Sequence, residues 1–404
     1  MKGLPLLVAG LLILPSCEKY TLSRVYRAEV LTNYRNHARD TVQPDLGRPA
    51  ADTSVYVVAV IVPAGYDWRK DASYGSSGCS VQLWKNNKLQ FTTSAGDDTG
   101  VGYSPDSHHL CGGHLYTEYC SPVGTTICCD GKELLGYGQR EQLKGLLVKD
   151  GNIYTVGRSI DGKGFCFRRD GVPLLKQDSG EVFGDFSNPS YGRNGALYEN
   201  LGAVCFSFRN ATSCYIVRDG EMKEVPTVSS AARVRDMRIF GQGVYYVSDY
   251  NMSMMVSGPG VSFVLPSGSR WLTASLMPHG DGIWVCADSA TGSVCCSIGG
   301  QRDRRLDFPG GMNLIYGGLS EFYSLGYDGG DFRISMPGGK VIFSRDSTFL
   351  LSASALTLAG DEAFALINPK ETDAAPYVWH EGKETRFELN GYLTAIEVEI
   401  SPPR

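Results

Sequence analysis

Residues 143–178 read LKGLLVKD-GNIYTVGRSI-DGKGFCFRRD-GVPLLKQD. They hold four short runs rich in apolar, β-branched and aromatic residues, each closed by Asp, Gly or a charged pair. No 3.6-residue apolar period runs through them, so they read as four strands (A, B, C and D) joined by tight turns. The decisive turn is Asp170-Gly171 between C and D, because an Asp-Gly pair tolerates the positive φ of a two-residue hairpin.

The same turn recurs along the chain. Asn86-Asn87, Asp130-Gly131, Asp170-Gly171, Asp219-Gly220, Pro259-Gly260, Gly299-Gly300, Gly338-Gly339 and Glu381-Gly382 each separate two short apolar runs. Their second residues are 44, 40, 49, 40, 40, 39 and 43 positions apart. A second marker, the strand B residue Tyr56, Tyr116, Tyr154, Val204, Tyr245, Trp284, Phe322 or Phe364, keeps step with them. A period of about 40 residues holding four strands is a propeller blade. The expected fold is all-β, an eight-bladed β-propeller over 51–404, with a seven-bladed ring as the alternative.

The two ends supply a closure argument. The first repeat begins at strand B, from Ser54, with no strand A before it. After the last repeat the chain adds Tyr392-Leu393-Thr394-Ala395-Ile396, which nearly copies Trp271-Leu272-Thr273-Ala274-Ser275. The C-terminal segment is therefore expected to complete blade 1 as its innermost strand, leaving no open edge.

Ahead of the repeats, Lys2 precedes an apolar run from Leu4 to Leu14 and then Leu14-Pro15-Ser16-Cys17. The run is too short to span a bilayer and has the form of a secretory signal. A Cys after a small residue at its end resembles a bacterial lipobox, with Pro15 departing from the usual small residue. The expectation is a signal over 1–17, acylation of Cys17, a tether over 18–50, and membrane contact only through the lipid. The balance is mildly acidic, net charge −5 and pI near 5.8, which argues against a nucleic-acid partner.

VYVVAV at 55–60, LWKNNK at 83–88 and YVWHEGKE at 377–384 resemble the VYVAG…LWKNGK repeats of uncharacterised propeller lipoproteins from gut anaerobic Gram-negative bacteria. The resemblance covers roughly residues 54–400 and is at the level of the repeat. It implies the fold and export to the cell envelope as an outer-membrane lipoprotein. It brings no catalytic residues.

Eleven cysteines follow Cys17. Cys205 and Cys214, placed about a turn at Arg209-Asn210, are expected to oppose each other, as are Cys286 with Cys295 and Cys120 with Cys128 or Cys129. Export permits disulfides at these pairs; buried thiols packing as small hydrophobes are the other reading. His108, His109, Cys111 and His114 form a metal-like group whose spacing matches no zinc framework, so neither a metal nor another cofactor is expected.

Candidate ligand contacts fall on the loops between D and A and between B and C. The inserted loop 63–78 carries Tyr66, Trp68 and Arg69. The loops 94–109 and 179–194 are also long, and long loops in compact folds are often functional. Tyr103, Tyr191, Trp271 and Tyr392 recur near the start of strand A, with Arg193 and Arg235 beside them, a set suited to a glycan or an envelope protein; packing of these four rings into the blade tops is the other reading. The leading expectation is a non-enzymatic binding module. A glycosidase or lyase is the alternative, needing facing carboxylates for which Asp97, Asp98 and Asp185 are the candidates. A scaffold subunit is the third.

The lipobox reading carries its own test. Cys17→Ala is expected to move the chain from the detergent phase to the aqueous phase of a Triton X-114 partition; unchanged partitioning would remove the anchor.

Overall fold

In the computed structural model the described residues are 52–401 apart from 70–78, 95–107, 122, 161–163, 188, 228–229, 252, 266–270, 281, 290, 299–303, 311–312, 329–330, 347–354 and 372. Cys17, the tether, Tyr103, Asp97 and Asp98 lie outside them.

Eight antiparallel sheets follow one another along the chain, each pairing its strands in the order A-B-C-D. Closure is as expected. Strand A of blade 1 is the C-terminal strand Gly391–Ser401, which pairs antiparallel with strand B, Asp52–Ile61, across ten residue pairs. Chain order then supplies the other innermost strands: His108–Cys111 in blade 2, Glu141–Lys149 in blade 3, Val234–Phe240 in blade 5, Trp271–His279 in blade 6, Asn313–Gly317 in blade 7 and Leu356–Ala359 in blade 8. Blade 4 differs. Its strand A is split into Glu181–Val182 and Tyr198–Asn200, both paired to strand B, Ala203–Arg209.

The C–D turns explain the repeat chemically. Asn86-Asn87, Asp130-Gly131, Asp170-Gly171, Asp219-Gly220 and Glu381-Gly382 all take positive φ at both positions, as the two-residue hairpin requires. In blades 1–4 the first of these side chains has a second task. Oδ1 of Asn86, Asp130, Asp170 and Asp219 accepts the amide of Val55, Leu115, Ile153 and Val204, at 2.8–2.9 Å. The turn residue thereby pins the start of strand B, the neighbour of strand C.

Blades pack through apolar faces of strands B and C. Between blades 3 and 4, Phe165, Phe167, Phe206 and Phe208 interleave with ring centroids 4.8–5.8 Å apart. Polar side chains add latches from one blade to the next. Leu143 donates its amide to Glu118 Oε1 at 2.8 Å, Leu276 to Asp236 Oδ2 at 2.6 Å and Leu393 to Asn368 Oδ1 at 2.8 Å. Leu143 and Leu393 each directly precede a β-bulge, at Lys144 and Thr394. A bulge interrupts the ladder and frees backbone groups, and the neighbouring blade satisfies these.

The cysteine expectations hold in part. Cys286 and Cys295 are directly opposed. Cys205 instead faces Arg218, and Cys214 faces Arg209. The B–C turn spans Asn210–Ser213, held by Asn210 Oδ1 accepting the amides of Thr212 and Ser213, so its centre lies beyond Arg209-Asn210. Cys120 faces Thr125, whereas Cys128 and Cys129 face Thr117 and Tyr116. All eleven are thiols, Cys205, Cys214, Cys286 and Cys295 included.

One ion pair is deeply buried. Arg168, on strand C of blade 3, meets both oxygens of Glu141, at the start of its strand A, at 2.5 and 2.7 Å, and both side chains are about 95% buried. The guanidinium also lies 4.2 Å over the ring of Tyr137 in blade 2. Arg168→Met, which strands a buried carboxylate, is expected to cost about 3–5 kcal/mol in denaturant unfolding. The double change Glu141→Met with Arg168→Met is expected to cost less than that single change. A double-variant cost equal to the sum of the two singles would show that the pair is not coupled.

Candidate functional site

The split strand of blade 4 sets up the first site. Between Val182 and Tyr198 the chain leaves the sheet and forms the 3₁₀ turn Pro189–Asn194. That turn touches strand A of blades 2, 3, 6 and 7. These blades lie on opposite sides of the ring, so the insertion crosses the central channel. Residues 179–194, expected as a loop between D and A, are thus largely an insertion within strand A, and the 49-residue interval of the repeat is its trace.

A cavity of about 420 Å3 lies against this plug. Phe186, Ser190 and Tyr191 of the insertion line it, with wall residues from strand A of the other blades: His109, Arg238, Tyr316 and Glu397 among them. Several wall residues come late in their strands, Met277 and Pro278 in Trp271–His279 and Tyr316 in Asn313–Gly317. The cavity therefore lies toward the end of the ring that carries the A–B turns.

Its polar groups are unevenly committed. Both Glu397 oxygens accept backbone amides, of Gly112 and Gly113, at 3.2 and 3.1 Å. Buried Asp236 accepts the amides of Met237 and Leu276 and a hydrogen bond from Tyr191. Burial raises its pKa, opposed by nearby Arg238 and these hydrogen bonds. His109 stacks on Phe186 at 3.7 Å, and burial, with His108 beside it, lowers its pKa to about 3, so the ring is neutral. Arg238 is 3% exposed and sandwiched between the rings of Tyr191 and Tyr198, at 4.6 and 4.9 Å.

A second concavity, about 520 Å3, lies on the loop end between blades 5 and 6. Arg233, Arg235, Asp249, Tyr250 and Trp271 line it. Arg235 is the bulged residue of its strand, which turns it outward, and it holds Asp249 by two bonds of 2.7 and 2.9 Å. Tyr250 is 44% exposed. Here two of the residues expected from sequence, Arg235 and Trp271, come together. Asp249 and Tyr250 were not anticipated, since a B–C turn of ordinary length carries no signal of its own.

The other expected contacts separate from this groove. Trp68 is 1% exposed and packs on Tyr392, itself fully buried, with centroids 5.4 Å apart. Neither offers a face to a ligand, contrary to the expectation for Trp68 and in line with the packing reading of Tyr392. Arg69 stacks on Trp68 at 4.2 Å and donates to the carbonyls of Pro369 and Ala374 in blade 8. With Tyr66 packed on the cluster that contains Trp68, residues 66–69 seal the seam between blades 8 and 1. Tyr392 and Trp271 also part company for a geometric reason. Tyr392 pairs with the residue four beyond Tyr56, whereas Trp271 pairs with the residue five beyond Trp284. One register step reverses the face to which a side chain points. Tyr191 lies in the channel, and only the backbone of Arg193 is described.

The histidine-cysteine group also disperses. His108 meets Thr117 at 3.1 Å, His109 faces the channel, and exposed His114 pairs with Asp130 at 2.6 Å. Cys129 joins His114 and Asp130 with ligand-type atoms within 4.8 Å, and Glu362, His380 and Glu381 group likewise in blade 8. Asp185 lies at the plug, bonded to Lys144 at 3.4 Å and to the amide of Ser187.

Neither a protein-family model nor a curated protein sequence matches the chain. Among solved structures, apo AztD from Citrobacter koseri is similar, with TM-score 0.49, 10% identity, and coverage of 87% of this chain and 99% of that one. The dihydro-heme d1 dehydrogenase NirN, in complex with DHE, gives TM-score 0.50 and 10% identity, covering 89% of this chain and 78% of its own. Such likeness is one of fold, and among the described residues no helix is long and apolar enough to cross a membrane.

One latch between blades 2 and 3 contains a buried acid, so folding stability is expected to depend on pH through it. Glu118, latched to Leu143 beside Lys144, has its pKa raised to about 7, chiefly by burial and secondarily by Glu141, against the Leu143 amide and Lys144. An acid raised in the folded state contributes stability below about pH 4.5, and that contribution is lost as pH rises through 7. Glu118→Gln keeps an oxygen for the Leu143 amide and is expected to flatten the fall in stability between pH 4.5 and 7. Parallel pH–stability curves for the two proteins would refute it.

Proposed function

We propose that the chain is a non-catalytic glycan-binding propeller, held in the cell envelope by an acylated Cys17. The observation that carries this reading is the groove between blades 5 and 6. It combines the indole of Trp271 and the exposed ring of Tyr250 with the paired Arg235 and Asp249. Sugars present apolar ring faces edged by hydroxyls. Aromatic rings cover the faces, and a fixed guanidinium–carboxylate pair supplies donors and acceptors in one plane. The Arg235–Asp249 bond also holds both side chains in place before a ligand arrives, which lowers the entropic cost of binding.

A glycan array probed with the unlipidated protein tests this. Trp271→Ala and Arg235→Ala are each expected to weaken the hits roughly tenfold or more, the loss of about 1.4 kcal/mol, with cooperative unfolding kept in both and a lower melting temperature for Trp271→Ala, whose ring also packs on the core of blades 5 and 6. Hits that survive both substitutions would overturn the groove as the site. A protein captured through the same residues, with no glycan bound, would replace the glycan with a protein ligand.

A further inference from the structure

The channel cavity holds a cation with unmet hydrogen-bonding capacity. Arg238 projects from strand A of blade 5, is 3% exposed, and has no hydrogen-bond partner at Nε or Nη2. Buried guanidinium nitrogens without partners are costly, and native structures rarely leave them so. The neighbouring carboxylate does not relieve them, because Asp236 is engaged by two amides and Tyr191. Glu397, four blades away and so across the channel, is engaged by Gly112 and Gly113. On the same wall set, buried His109 has an unpartnered Nε2.

The rest of the lining is mixed, with Phe186, Tyr316, Met277, Leu356 and Ile396 as its apolar and aromatic part and Ser190 and Thr357 among its polar part. A cavity of about 420 Å3 falls within the roughly 300–1,000 Å3 of small-molecule sites, which are characteristically apolar with a few placed polar groups. From this we infer that the channel binds a compact amphipathic organic anion. Its acidic group is taken by Arg238 and its apolar body lies against Phe186 and Tyr316. The neutral His109 offers one further hydrogen bond. This site is separate from the groove between blades 5 and 6 and does not depend on it.

The test uses two probes of the same shape and different charge, titrated into the whole protein by fluorescence. One is 8-anilinonaphthalene-1-sulfonate; the other is its neutral counterpart, N-phenyl-1-naphthylamine. The sulfonate is expected to bind at one saturable site, and Arg238→Met is expected to weaken it roughly tenfold or more, as loss of a charge-assisted hydrogen bond does. The neutral probe is expected to change less than threefold. Thr357→Trp, which fills the cavity and leaves Arg238 in place, is expected to abolish binding of both probes. Thermal unfolding checks that each variant folds, and Thr357→Trp decides the matter where Arg238→Met does not. Sulfonate binding that survives Thr357→Trp, or that Arg238→Met lowers no more than it lowers the neutral probe, would overturn the inference.

Discussion

The ring depends on one pairing, that of the C-terminal strand Gly391–Ser401 with Asp52–Ile61. Every other blade is built from consecutive hairpins, whose strands meet at short sequence separation. Blade 1 alone joins residues more than 300 positions apart. Without it, the backbone of Asp52–Ile61 would be an unpaired edge and the apolar faces of blades 8 and 1 would face water. The seam is reinforced accordingly. Asn368 of blade 8 brackets Leu393 from both sides, accepting its amide and donating to its carbonyl, while Arg69 reaches the carbonyls of Pro369 and Ala374. Trp68 and Tyr392 fill the space between, and burying rings of this size is worth about 1.5–3 kcal/mol apiece.

Closure fixes the strands, but the bulges give the ring its chemistry. A bulge in strand A frees backbone groups toward the neighbouring blade and swings one side chain out of the pleat. At Lys144 and Thr394 the freed amide becomes a latch, to Glu118 and Asn368. At Arg235 the swung side chain becomes part of a groove. One irregularity, repeated, thus serves cohesion in some blades and presentation in another.

The fold was legible because its signal is local. A two-residue turn with positive φ favours Asn, Asp or Gly, and eight turn-forming pairs in step, most of them of that kind, announce eight blades. Even there the reading was partial. The Asp side chain is selected for its bond to strand B as well as for its tolerance of positive φ, and a turn propensity does not reveal that. The site was less legible because it depends on facing. Trp271 and Tyr392 sit in nearly identical pentapeptides, yet one register step places the first in a groove and the second in the core. Trp68 looked like a loop aromatic free to meet a ligand, but loop length says nothing about whether a loop folds back on the seam beside it. Arg238 gave no signal at all, since its distinction is the hydrogen bonds its neighbours leave unmade.

The insertion in blade 4 divides the molecule's functional possibilities. Crossing the channel, it takes from the loop end of the ring the axial opening where a propeller's ligand would otherwise sit. Among the described residues at that end, blades 5 and 6 line a crevice with Arg235, Asp249, Tyr250 and Trp271. On the other side of the plug the same insertion contributes Phe186 and Tyr191 to a concavity whose wall includes the buried His109, Arg238 and Glu397. The two concavities differ in kind for that reason. The groove is open and edged by an exposed ion pair, as suits a long polar chain lying across it. The cavity gathers a buried, incompletely bonded guanidinium, aromatic rings and polar groups on several blades, as suits a small molecule with one acidic group.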